Sequence, residues 1–254
     1  MRKELIAKLQ MPKRTVLNRN IPKKQFYEQA ELSNQEKELI KDDIESIYLL
    51  SICRQDTLNV PKYVEEDLHY EEIYWVFVSL KSTKRFEKVC KAIHRAFPNP
   101  VVLVCSNAGQ EIAVSTGHKR LNQNVSSKSV VEELNLSPFI DPYSHDEGVV
   151  RFIERLSFPS LSHQNLYLFY DDLSKATEAS QIISLIGSYP SKELSLLDST
   201  RVIKEINLNA EELLRLKKEH DDQTDFGEKM NTHIKVKQEE TKKEKLINQL
   251  KELC

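Results

Sequence analysis

Metal-dependent phosphodiester cleavage needs carboxylates that converge on a divalent ion and a lysine beside the attacking water. In this 254-residue chain the nearest candidates are Asp56, Glu72 and Lys81, which lie before and within strand-like apolar runs. The acid-x-Lys spacing that marks such sites is missing, because Ser79 holds the position the acid would need. Ordinary strand-end charge accounts for all three. Gly117-His118-Lys119-Arg120 follows an expected strand and would set three potential cations at one sheet edge, where Lys119 and Arg120 could grip phosphate. Five glycines are too few to build a phosphate-cradling loop as well. The seven histidines are dispersed, and none pairs with Cys or Asp at metal-ligand spacing, so no zinc site is expected. Ser144, His145 and Asp146 are consecutive, whereas a hydrolytic triad is a spatial arrangement, so that set is set aside. Tyr74, Trp75 and Phe77 could stack bases, but they alternate along a strongly apolar strand and are expected in the core. No catalytic residue, metal ligand or cofactor is assigned.

The charge pattern says more. Residues 1–24 carry eight Lys or Arg against the single acid Glu4, a local net of +7, which leaves −9 for the rest of a chain whose net charge is −2. A basic arm on an acidic body favours nucleic acid or an acidic partner surface, with Lys13, Arg14, Lys23 and Lys24 as the contacting residues. Cys53, Cys90, Cys105 and Cys254 are widely spaced, and three of them sit at core-like positions. They suit the reduced thiols of a cytoplasmic protein. No apolar run approaches the ~20 residues that span a bilayer, so no membrane partner is expected.

These residues must be positioned by a small α/β body. Met1–Gln10 predicts a short amphipathic helix, and Pro12 and Pro22 make Met11–Lys23 an extended connector. Lys24–Ala30 reads as a helical turn. Ser33 and Glu36 form a capping-box signature for a helix reaching about Asp43. Ser46–Cys53 and Ile73–Leu80 are apolar on both faces, as central strands are. Phe86, Val89, Cys90, Ile93 and Phe97 recur at helical spacing until Pro98. Val101–Cys105 and Glu111–Ser115 flank a turn-rich link and predict a β-hairpin. Leu121–Ser129 reads as a loop and Val130–Asp146 as irregular, followed by a helix at Glu147–Leu156, an apolar run at Leu166–Tyr170 and a helix through Ala176–Ile186. From Ser199 the composition turns to Glu, Lys, Leu and Asp. Asn209 with Glu212 predicts a helix start, Gly227 a break, and Thr241–Leu253 a final helix bearing Leu246, Ile247, Leu250 and Leu253. The expected class is α/β (α+β), with a mixed sheet of four to six strands, packed helices and a helical C-terminal tail. The expected divisions are a basic arm (1–24), an α/β core (25–198) and a charged helical region (199–254).

Several pieces in order resemble a known family: Ile21-Pro22-Lys23-Lys24-Gln25-Phe26, Asp56–Val60, Glu72–Lys81, Lys91–Pro98 leading into Val101–Cys105, and Lys204–Lys217. Together they are similar to the bacterial domain of unknown function 4391, over about Met11 to Glu219. The resemblance implies a small accessory product encoded beside DNA methyltransferases and helicase-nucleases, in restriction-modification-like or antiphage loci. It carries no catalytic residues.

The leading expectation is therefore a non-enzymatic accessory or adaptor protein. Its apolar stripe Leu246, Ile247, Leu250 and Leu253 would dock a larger helicase, methyltransferase or nuclease subunit, or a second copy as a homodimer. The alternative is direct nucleic-acid binding through the basic arm with Lys119 and Arg120, and behind it a divergent metal-dependent nuclease.

Overall fold

A computed structural model describes residues 1–24, 32–122, 125–190 and 193–254. Its central element is a six-stranded mixed sheet ordered β1-β2-β5-β6-β7-β8. The strands are β1 (Val16–Ile21), β2 (Ile44–Arg54), β5 (Glu72–Leu80), β6 (Val101–Ser106), β7 (Ile112–Asn122) and β8 (Val125–Leu136), while β3 (Tyr63–Val64) and β4 (His69–Tyr70) make a separate small ribbon. Every neighbouring pair in the large sheet is antiparallel except β5 and β6, which run parallel. A short α3 (Gln55–Leu58) follows β2; the parallel pair needs a crossover, and α4 (Phe86–Ala96) supplies it.

The sheet is covered on both faces, which is why β5 and β6 read as unbroken apolar runs. On one face, α2 (Asn34–Asp43) and α4 set Ile40, Val89 and Ile93 against Ile47, Val76, Val78, Leu103 and Cys105. The capping box that starts α2 is present: the Glu36 N–H donates to Ser33 Oγ and the Ser33 N–H to Glu36 Oε2. On the other face Trp75, Phe77, Val102 and Val104 meet α1 (Arg2–Lys8), α5 (Glu147–Arg155) and α6 (Leu166–Ala179) through Leu5, Leu9, Phe152 and Phe169. Tyr74 faces the first cluster and Trp75 and Phe77 the second, as strand alternation requires. Cys53, Cys90 and Cys105 are buried free thiols.

Residues 1–24 are built into the body. Leu5, Leu9 and Met11 are buried, and the expected connector after Pro12 contains the edge strand β1. The turn expected at Lys24–Ala30 runs onto residues outside those described. In the stretch expected as a loop at Leu121–Ser129, residues 121–122 belong to β7 and residues 125–129 to β8, its partner, while residues 123–124 lie outside those described; β8 continues to Leu136 inside the segment expected to be irregular. Leu166–Tyr170 is the first turn of α6, whose start is capped by Asn165 Oδ1 accepting from the Leu168 N–H at 2.9 Å.

After α7 (Gln181–Ile186), two long antiparallel helices close the chain: α8 (Glu193–Asp222) and α9 (Phe226–Leu253). At 1.5 Å per residue they extend about 45 and 42 Å. Asn209 does not start a helix. It lies within α8, buried, and its amide donates across the hairpin to the Glu239 carbonyl (3.1 Å) and carboxylate (2.6 Å). The break falls at Gln223–Asp225, and Asp225 caps α9.

Candidate functional site

Four consecutive residues of β7 point into three different environments. Gly117 is where α6 comes closest: the Tyr170 hydroxyl accepts from the Gly117 N–H (2.8 Å) and lies within donating distance of the Gly117 and Val101 carbonyls (3.0 and 2.8 Å). A Cβ at Gly117 would sit 2.9 Å from Val131 Cγ1 and 3.1 Å from the Glu133 carbonyl oxygen, so the β7–β8 ladder requires glycine there.

His118 enters an aromatic cluster. Its Nδ1 lies 2.7 Å from the Tyr70 hydroxyl and its Nε2 3.3 Å from Asp171 Oδ1, and the other oxygen of Asp171 meets Lys175 Nζ at 2.6 Å. The Tyr70, Tyr167 and Tyr170 rings surround the imidazole at 5.4–6.0 Å between centroids. Burial tends to raise the Asp171 carboxyl, but hydrogen bonds from His118 and Lys175 outweigh it and hold the group below its ordinary value. Burial pushes the Tyr70 phenol up. A carboxylate behind an imidazole is the arrangement of a general base. Here, however, Nε2 faces Asp171 and Nδ1 faces the hydroxyl of Tyr70, whose ring is fully buried. Both nitrogens have partners within the protein: the relay has buried Tyr70 at one end and, through part-exposed Asp171, the half-exposed Lys175 at the other. No spacing in the sequence links residues 70, 118 and 171; the one local signal was the Asp171–Lys175 pair one helical turn apart.

Lys119 turns to the opposite face, where it is 3% exposed. Its ammonium donates to the His94 carbonyl at 2.6 Å and to the Phe97 carbonyl, at the C-terminal end of α4. Burial pushes this lysine down to about 7. Burial, followed by the charge of Lys119, pushes His94 down to about 3, so it is a neutral imidazole bonded to Ser115 Oγ at 3.0 Å. Arg120 pairs with Glu132 at 3.2 Å. The four residues therefore offer no phosphate grip: they lie within β7 rather than at a sheet edge, Lys119 is a buried helix cap, and Arg120 is neutralised.

The other sequence candidates fall in separate places. Arg54 bridges Asp56 (3.5 Å) and Glu72 (3.6 Å), so a cation already sits between the two acids, while Lys81 follows the far end of β5, nine residues from Glu72 or about 30 Å of extended chain. Among the described residues, no group of three His, Cys, Asp or Glu could hold a metal ion. The nuclease set does not assemble. Lys13, Arg14 and Lys24 are exposed, but Lys23 is tied to the Ile44 carbonyl at 2.6 Å, and burial, followed by the charge of Lys81, lowers it. The stripe Leu246, Ile247, Leu250 and Leu253, expected to await a partner, is already covered. Leu246 and Leu250 are buried in the main core, with Ile247 and Leu253 packed against them.

A run of uncovered apolar side chains lies farther out on the same two helices. Leu213, Leu216 and Val236 form a small seam of their own, separate from both sheet-face clusters. Around it Phe226 is 79% exposed, Leu214 71%, Ile234 49% and Met230 48%. Phe226, Met230 and Ile234 repeat at i, i+4, i+8 and so share one face of α9.

The family model described as Domain of unknown function (DUF4391) matches residues 9–242. The chain belongs to this family. No curated protein and no solved structure matches it. The DUF4391 match takes in the sheet, the helices from α2 to α8, the α8–α9 turn and the exposed face of α9, and leaves out α1 and the Leu246–Leu253 stripe. Among the described residues no helix is long and apolar enough to cross a membrane.

Proposed function

We propose that this DUF4391 protein is a non-enzymatic accessory subunit of a bacterial restriction-modification-like or antiphage system, docking a larger helicase or methyltransferase through the outer part of its α8–α9 hairpin. The observation that carries this reading is the face formed by Phe226, Met230 and Ile234, three large apolar side chains each about half or more exposed on one side of a helix. Burying an apolar side chain of this size stabilises by roughly 1.5–3 kcal/mol, so the three together can anchor an interface. Mixed charge flanks them, with Asp225, Glu228, Lys229 and Lys235 close by, as at the polar rim of a protein–protein contact. The His118 relay supports a structural rather than a catalytic role for the one constellation with acid–base character, because neither ring nitrogen is free to serve a substrate.

Co-expression with the helicase or methyltransferase encoded beside it tests the proposal. The wild-type chain is expected to co-purify with that protein, and the Phe226→Glu, Met230→Glu, Ile234→Glu triple variant is not. Equal recovery of wild type and variant would overturn it, and so would a wild-type homodimer that the triple variant dissolves.

A further inference from the structure

The basic N-terminal segment is part of a rigid sheet rather than a free arm, and its cations are unevenly engaged. Arg2 donates to Asn18 Oδ1 at 3.2 Å and lies 3.4 Å over the Tyr48 ring, Lys8 donates to the Pro142 carbonyl, and Lys23 to that of Ile44. The segment's one acid, Glu4, is occupied by the Met1 ammonium (2.8 Å) and the Tyr143 hydroxyl. Lys3, Lys13, Arg14 and Arg19 remain, all exposed and without an ion-pair partner among the described residues. Three of these four flank or lie on β1, the free edge strand of the large sheet, and the Arg2–Asn18 bond ties α1, with Lys3, to the same strand.

We infer that this α1–β1 rim is a duplex-DNA backbone site, in which Lys3, Lys13, Arg14 and Arg19 contact phosphates. Three observations select that occupant. First, the edge is unsuited to a protein strand: the β1–β2 register shifts between Val16 and Arg19, and Asn18 has a left-handed backbone with φ 45°, so the outer hydrogen-bonding ladder is bent. Second, among the described residues the rim offers no open stacking platform for unpaired bases. Tyr48 lies under the Arg2 guanidinium, and Tyr143 has the Lys8 ammonium 5.2 Å from its ring centre. Third, Arg14, in the turn before β1, and Arg19, on it, are five residues apart, a distance within the ~16 Å that five strand residues would span. Side chains at that separation can reach phosphates on either side of the ~12 Å major groove of B-form DNA, whereas the A-form major groove is narrow. Phosphate contacts of this kind carry no base information, so the site binds duplex DNA irrespective of sequence. This rim is distinct from the α9 face of the docking proposal, and either can fail without the other.

Fluorescence anisotropy of a labelled DNA duplex with the full chain, titrated from 50 to 200 mM salt, reads the site directly. Four neutralised phosphates give a log–log slope of about −3.6, or about a 150-fold loss of affinity over that range. Each single Ser substitution of the four cations should reduce the slope by about 0.9, and the variant carrying all four should be nearly salt-insensitive. A control that removes the same charge from α9 (Lys229, Lys235, Lys243 and Lys245 to Ser) should keep the wild-type slope. The inference is overturned by wild-type binding that salt does not weaken, by a rim variant that binds as wild type, or by a control that loses as much as the rim variant. Equal or tighter binding of single-stranded DNA or of an RNA duplex overturns it as well.

Discussion

Replacing Lys119 with Met removes an ammonium that the fold buries without a carboxylate beside it. The folded group titrates near 7, while an unfolded lysine titrates near 10.4. The folded state thus binds this proton more weakly than the unfolded state, and between those two values the unfolded chain holds more protons. Stability must therefore rise with pH across that window, by about 2 kcal/mol between pH 7 and pH 9 for this one group. Wild type and Lys119→Met should be unfolded in urea at pH 7, 8 and 9 and the two pH trends subtracted. Subtraction cancels the constant cost of leaving the His94 and Phe97 carbonyls without a donor. It also cancels the buried thiols, such as Cys53, which burial raises to about 12 and which erode stability above pH 9. The expected result is a wild-type free energy that climbs by about 2 kcal/mol relative to the variant. Parallel trends would refute the reasoning: the two carbonyls and the negative end of α4 would then hold the ammonium charged as firmly as water does.

Leu250 is fully buried against the sheet-side core, so Leu250→Ala should cost 2–5 kcal/mol by urea unfolding, whereas exposed Leu214→Ala should stay within about 0.5 kcal/mol. Truncation after Gly227 removes Leu246 and Leu250 from that core and should abolish the cooperative thermal transition, not merely partner binding. Tyr170→Phe deprives the Gly117 N–H of its acceptor and two carbonyls of a donor, and should lower stability by about 1–3 kcal/mol with the far-UV spectrum unchanged.

The parts of the fold legible in the sequence are those where one local rule decides. Doubly buried β2, β5 and β6 show as apolar runs, α4 as a 3.6-residue period, and α2 through Ser33 and Glu36. What escaped depends on neighbours far along the chain. Leu166–Tyr170 has a strand-like composition, yet Asn165 caps it as a helix whose buried face continues through Leu173 and Ala176. The β7–β8 hairpin runs through polar residues because an outer ladder does not need apolar side chains on both faces. Lys119 reads as solvated, since nothing local announces that the end of α4 turns two carbonyls toward it. The stripe at Leu246–Leu253 was legible as an apolar face, but only tertiary structure tells which such face is already covered. Phe226, Met230 and Ile234 display the same periodicity and are the ones left open. The Tyr70–His118–Asp171 relay had no sequence signature, as it joins β4, β7 and α6.

The docking claim is tested most directly by amide hydrogen exchange on the full chain, alone and mixed with the helicase or methyltransferase proposed as its partner. Protection concentrated on α9 from Phe226 to Ile234 and on the facing turn of α8 around Leu214 is the expected result. Unchanged exchange at those residues, with protection elsewhere or nowhere, would contradict the account.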